Sequence, residues 1–235
     1  MERNNKLKRV EYWIKARIGK IAFIEVEQKR EKHWYGNGYG GFYLDPTLVP
    51  EDAIVYSFGI GEDISFDKAI IEKHGSRVYG FDPTPKSINY IKNSPTPEQF
   101  YFYPFGIGEK TGTVTFNLPK NKDHVSGSVY GHKLVDKHNV IEVQLKKFKD
   151  IVNELDHNHI DVLKMDIEGS EYAVMEDILK SGVSINQILV ETHERFFDDG
   201  VEKGRKFFKQ LHDHGYKIFA ISDTYQEISF AKANI

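Results

Sequence analysis

Residues 53–82 read AIVYSFGIGEDISFDKAIIEKHGSRVYGFD, and the order of elements in this stretch decides the fold. Ile54 to Tyr56 is a short apolar run of β-branched and aromatic residues, the pattern of a buried strand. Gly59-Ile60-Gly61 turns the chain. Ile64, Phe66, Ala69, Ile70 and Ile71 fall on one helical face, and Gly75 is placed to end that helix. Arg77 to Phe81 forms a second strand with Asp82 at its carboxyl end. Ligands of open α/β sheets bind beyond the carboxyl ends of the strands. Glycines there let a ligand approach the backbone, and an acid at the tip of the second strand can accept hydrogen bonds from both hydroxyls of a ribose. The stretch predicts a nucleoside-containing cofactor. In the competing reading, Gly59 and Gly61 only make a tight turn, and Asp82 caps a helix opened by Pro83 and Pro85.

The glycine pattern narrows the nucleoside. A dinucleotide fingerprint has a third glycine, whereas Glu62, Asp63 and Ile64 follow Gly61. Two acids at a helix N-terminus occupy the place where a pyrophosphate would sit. A cofactor without phosphates, S-adenosylmethionine, fits better. An NAD-dependent oxidoreductase is the first alternative, and a fold used only to bind a partner is the second.

Downstream, strands and helices continue to alternate, which predicts a mostly parallel, doubly wound sheet. Phe100 to Pro104 reads as a third strand and Gly112 to Asn117 as part of a hairpin. Val140 to Leu145, Asp161 to Met165 and Ile188 to Val190 follow as strands. Tyr216 to Ile221 and Glu227 to Ala231 have no helix between them and predict an antiparallel edge hairpin. Leu118 to Asn139 has little periodicity and is long enough to suggest a lid. His33 to Pro50 is rich in glycine and aromatics. It could bring Tyr35, Tyr39 or Phe42 over the cofactor, or simply cover the sheet edge.

Polar groups gather at four strand ends: Ser57 to Gly59, Asp82, Asp166 to Gly169, and Glu191 to His193. In this architecture they converge on one edge. His193 is the expected general base, with Asp166, Glu168 and Glu191 as further catalytic candidates. Glu171 is expected to face solvent or cap a helix. A divalent ion is the less favoured mechanism; its ligands would be Asp166, Glu191 and His193.

Composition sets the outer bounds. The chain has 235 residues, 40% hydrophobic and 29% charged content, a net charge of −3 and no cysteine. That is ordinary for one soluble α/β domain. It excludes disulfides and gives no reason to expect nucleic acid binding. The first residues, MERNNKLKRVEYW, lack the apolar core of a secretory signal, so a cytoplasmic location is expected. Residues 1–33 read as a basic helical extension, with 34–235 as the catalytic domain. Membrane contact through the extension is conceivable from its lysines and arginines, but packing against the core is favoured.

The motifs VYSFGIGEDISFD, VYGFDPTP, PFGIGEKTGTVTF and LKMDIEGSEYAVM occur in that order. Together they resemble the FkbM-type methyltransferases and the related methyltransferase-like proteins with a YSFG motif, over about Tyr39 to Phe230. LKMDIEGSE is similar to that family's K-x-D-x-E-G-x-E block. The resemblance implies a Rossmann-like, seven-stranded class I methyltransferase fold. It also implies S-adenosylmethionine as donor and a hydroxyl of a glycan or another small molecule as acceptor. Gly59, Gly61 and Asp82 would bind cofactor, joined by Ser57, Phe105 and Gly106 as candidates, while Asp166 and Glu168 would lie at the active centre. Ser57 stands where many methyltransferases place the acid that holds the methionine ammonium; Glu62 or Asp63 is expected to supply that charge.

Overall fold

The computed structural model describes residues 2–119 and 135–233. The chain begins with α1 (Glu2–Arg17) and a hairpin of β1 (His33–Tyr35) and β2 (Phe42–Leu44). Next come β3 (Ile54–Phe58), α2 (Ser65–His74), β4 (Arg77–Phe81), α3 (Pro85–Asn93) and β5 (Phe100–Tyr103). A small sheet follows, formed by β6 (Gly106–Ile107), β7 (Gly112–Pro119) and β8 (Val135–Lys146). The chain then runs through α4 (Phe148–Glu154), β9 (His159–Met165), α5 (Glu171–Lys180), β10 (Ser184–Glu191), α6 (Gly200–Asp213), β11 (Tyr216–Ile221) and β12 (Glu227–Lys232).

The main sheet has seven strands in the order β11-β12-β10-β9-β3-β4-β5. Six run in the same direction, and β12 lies antiparallel between β10 and β11. Helical crossovers cover both faces, so the central strands are apolar on both sides. Along β3, Val55 packs with Val78, Val162, Phe66 and Ile70. Its neighbours Tyr56 and Phe58 pack on the opposite face with Leu163, Met165, Val174 and Ile178. This period of two places Ser57 on the α2 face. Its partner across the β3–β9 ladder is Lys164, so a polar pair ends an otherwise apolar layer.

The helix α2 ends as its sequence predicts, with Gly75 at φ 66° and its N–H donating to the Ile71 carbonyl. The β1–β2 hairpin buries Tyr35, Phe42 and Leu44 in the α2-side core. Of the three aromatics expected near the cofactor, only Tyr39 remains exposed. The first 33 residues are not wholly helical. Beyond α1 the chain extends along β11, where Glu27 and Gln28 donate their N–H groups to the Ile218 carbonyl. Ala22 and Ile24 enter the main core. Among the described residues, no helix is long and apolar enough to cross a membrane. Residues 120–134, the greater part of the expected lid, lie outside the described residues.

Candidate active site

The polar strand ends meet at the carboxyl edge of the sheet. Gly59 N–H donates to the Phe81 carbonyl and Asp166 N–H to the Phe58 carbonyl, each at 3.0 Å, so β3 is tied to both neighbours where the strands end. Gly59 has φ 81°, and a Cβ there would lie 1.7 Å from the Asp166 carbonyl oxygen. Only glycine fits that crossing. The turn opens a solvent-connected cleft at the sheet edge. Gly59, Gly61, Glu62, Asp67, Asp82, Gly106, Lys164, Asp166, Glu168 and Tyr39 all contribute to its walls.

Asp82 is 5% exposed. Its Oδ2 accepts from the N–H groups of Ile60 (3.0 Å) and Gly61 (2.9 Å). Its Oδ1 accepts from the Thr84 N–H (2.8 Å) and hydroxyl (2.6 Å). The carboxylate lines the cleft and ties the glycine turn to Thr84, which, rather than Asp82, is the N-cap of α3. Among the other candidates, Gly106 borders the cleft. Phe105 instead packs on Phe81 and Tyr103, with the Lys146 ammonium over its ring.

Asp63, expected to serve the methionine ammonium, is engaged within its own loop. It accepts from Ser65 N–H at 2.7 Å and Asn37 Nδ2 at 2.6 Å. A different acid sits deeper. Asp67 on α2 is 2% exposed and borders the cleft, and its Oδ1 has no hydrogen-bond partner. The Ser57 hydroxyl lies nearby and favours the ionised form of Asp67. Burial raises the Asp67 carboxyl above its ordinary range, with the Lys164 ammonium offsetting part of the effect. Lys164 is itself buried and donates to the Gly59 carbonyl at 2.5 Å. The sequence carried a signal for Asp67. It lies three and four residues before Ile70 and Ile71, on the apolar face of α2, where an unpaired charge is out of place.

On the far wall the histidine cluster forms. His193 follows β10 and is 1% exposed. Its Nδ1 lies 2.8 Å from Oε1 of Glu171, which is fully buried. Its Nε2 lies 3.3 Å from Glu168 Oε2, 3.5 Å from Glu191 Oε1 and 3.8 Å from Asp166 Oδ1. Glu168 reaches this position from a left-handed backbone, φ 53°, a conformation that costs a non-glycine residue about 1 kcal/mol or more. Burial works against charge on His193, yet Glu171, Glu168 and Asp166 together lift its pKa to about 9. The imidazole is enclosed, with both ring nitrogens facing carboxylates. Burial, then the Asp166 carboxylate, pushes Glu191 up to about 7. Glu171 is the residue that sequence reasoning misplaced: it faces the histidine, not solvent.

A parallel sheet of this strand order, with one antiparallel strand inserted near its edge and a glycine turn after the central strand, is the class I methyltransferase fold. The model of the methyltransferase FkbM domain matches residues 52–218, and the chain belongs to that family. Probable methyltransferase-like protein 24 of Homo sapiens is 24% identical over 197 residues, 80% of this chain and 47% of that protein. Its counterpart in Rattus norvegicus is 24% identical over 200 residues, with the same coverage. The chain thus spans about half the length of the curated relatives it matches. Among solved structures, the fold resembles Aeropyrum pernix fibrillarin with natively bound S-adenosyl-L-methionine, at 11% identity and TM-score 0.44, covering 87% of this chain and 83% of that one. It also resembles the O-methyltransferase NovP, at 12% identity and TM-score 0.43, covering 80% and 74%.

Proposed function

We propose that this chain is an S-adenosylmethionine-dependent O-methyltransferase whose acceptor is a hydroxyl of a glycan or another hydroxylated metabolite. One observation carries the reading: a single cleft joins the glycine turn and Asp67 on one side to Asp166 and Glu168 on the other. When bound, S-adenosylmethionine supplies an activated methyl group, which passes to the acceptor oxygen and leaves S-adenosylhomocysteine and one proton.

The residues fit such a cofactor. The unpartnered Asp67 oxygen suits an ammonium, and the Lys164 ammonium beside it suits a carboxylate. Gly59 and Gly61 let adenosine approach the backbone. Asp82 holds that turn in shape and presents its carboxylate edge to the ribose. At the other end, Glu168 and Asp166 orient the acceptor hydroxyl and receive its proton, which passes on to water. Glu191 and His193 stand behind them and fix their positions. Tyr39, 79% exposed at the mouth, offers an aromatic face to a sugar ring or to adenine.

The nicotinamide alternative is disfavoured by family membership and by Glu62 and Asp63, which would oppose a pyrophosphate. The test is incubation with methyl-labelled S-adenosylmethionine and a panel of sugars and alcohols. Label in a base-stable ether supports the reading; label only in amines or carboxyl esters rejects the hydroxyl assignment.

A further inference from the structure

We propose that Asp166, Glu191 and His193 bind one divalent transition-metal ion of the Mn²⁺ type in the wall of the cleft. The proposal deepens the methyl-transfer reading, since a cation there would set positive charge beside the acceptor hydroxyl as it loses its proton. The site itself stands on separate observations.

One ligand atom from each residue lies within 4.8 Å of the others. Donors sharing an octahedral ion at about 2.1 Å lie about 3.0 Å apart when adjacent and about 4.2 Å when opposite. Side-chain rotations that close the gaps by under about 2 Å would complete the triad. The imidazole is already oriented for the task. Glu171 occupies Nδ1 at 2.8 Å from a fully buried position, which directs Nε2 at the two carboxylates. A carboxylate behind a ligating histidine is the usual support of a metal site. Asp166 Oδ1 is buried with no hydrogen-bond partner, an omission that folded proteins rarely tolerate without a ligand.

Charge points the same way. Asp166, Glu168, Glu171 and Glu191 all face His193. Arg195 reaches only the rim of the cluster, 3.2 Å from Glu191 and itself 43% exposed. Four carboxylates around one imidazole in a partly dehydrated site leave negative charge that is costly without a cation. One imidazole among carboxylates favours a first-row ion over Mg²⁺ or Ca²⁺, which prefer oxygen alone. Asp166 and Glu168 border the cleft, so coordination positions open toward substrate, as at catalytic sites.

The experiment strips the whole chain with chelator and titrates it with Mn²⁺, reading free ion by electron paramagnetic resonance, with Mg²⁺ and Ca²⁺ as competitors. One Mn²⁺ per chain is expected, bound at least tenfold tighter than either competitor. Glu191→Gln and Asp166→Asn should each weaken binding at least tenfold while circular dichroism shows the fold intact. Absence of saturable Mn²⁺ binding, wild-type affinity in both variants, or preference for Ca²⁺ overturns the proposal. S-adenosylmethionine affinity is measured separately on the stripped wild type and on Glu191→Gln. Mn²⁺ binding without cofactor binding leaves the metal site standing and sinks the methyltransferase reading; the converse result does the opposite.

Discussion

Glu171 Oε1 lies 2.8 Å from His193 Nδ1, and neither side chain is more than 1% exposed. The same carboxylate accepts the Gly169 N–H at 2.9 Å through its second oxygen, so one side chain fixes both the imidazole and the loop that carries Glu168. Removing one partner from such a pair leaves an uncompensated buried charge. Glu171→Ala should lower stability by about 3–5 kcal/mol, measured by urea unfolding. Glu171→Gln keeps the shape and should unfold at nearly the wild-type midpoint, yet lose about 10–100-fold in metal affinity. Equal Mn²⁺ affinity in Glu171→Gln and wild type would reduce Glu171 to a structural residue.

Asp67 gives a pH signature. Its folded-state pKa is raised above the ordinary 3.8 by burial. Between the unfolded and folded pKa values the native state binds more protons, so ionisation of Asp67 costs stability as pH rises through that window. Asp67→Asn lacks this loss. The melting temperature of the variant relative to wild type should therefore climb as pH rises above the ordinary carboxylate range in the absence of ligand. Cofactor affinity should move the other way, weakening by about 1–3 kcal/mol, the scale for losing a charge-assisted hydrogen bond. A pH-independent difference in melting temperature would show that Asp67 titrates normally.

Asp82 serves the fold and the cleft together. Asp82→Ala strips partners from the Ile60, Gly61 and Thr84 N–H groups. Each buried donor left unsatisfied costs about 1–3 kcal/mol, so thermal unfolding should fall along with cofactor affinity. Asp82→Asn retains acceptor capacity on one oxygen and should recover part of both. Full stability in Asp82→Ala would mean that the glycine turn is held by other contacts.

Tyr39 separates binding from folding. It is exposed at the cleft mouth, so Tyr39→Ala should leave the melting temperature within about 1 kcal/mol of wild type in stability. Binding of cofactor or acceptor should weaken measurably in calorimetry. Unchanged affinity for both ligands would place Tyr39 outside the working site.

Much of this arrangement was legible in the sequence because it follows from period and position. Apolar runs ahead of glycine turns mark the parallel strands. The rule that ligands collect at their carboxyl ends brought Asp166, Glu191 and His193 together before any coordinates. What stayed hidden depended on contacts between distant residues. Glu171 looks like an ordinary first-turn acid until β10 returns and sets His193 against it. Asp67 interrupts the apolar face of α2, but what it faces is set only when Ser57 and Lys164 pair across β3 and β9 beneath it. The carboxylates around His193 come from the loop and helix start after β9 and from the end of β10, two segments that no local pattern brings together.

The central claim is that the cleft between Gly59 and Asp166 holds S-adenosylmethionine. Titration calorimetry of the wild-type chain with S-adenosylhomocysteine, run beside NAD, tests it most directly. The account predicts one saturable site for S-adenosylhomocysteine, weakened by Asp67→Asn, and no heat of binding with NAD. Saturable NAD binding without S-adenosylhomocysteine binding would contradict it.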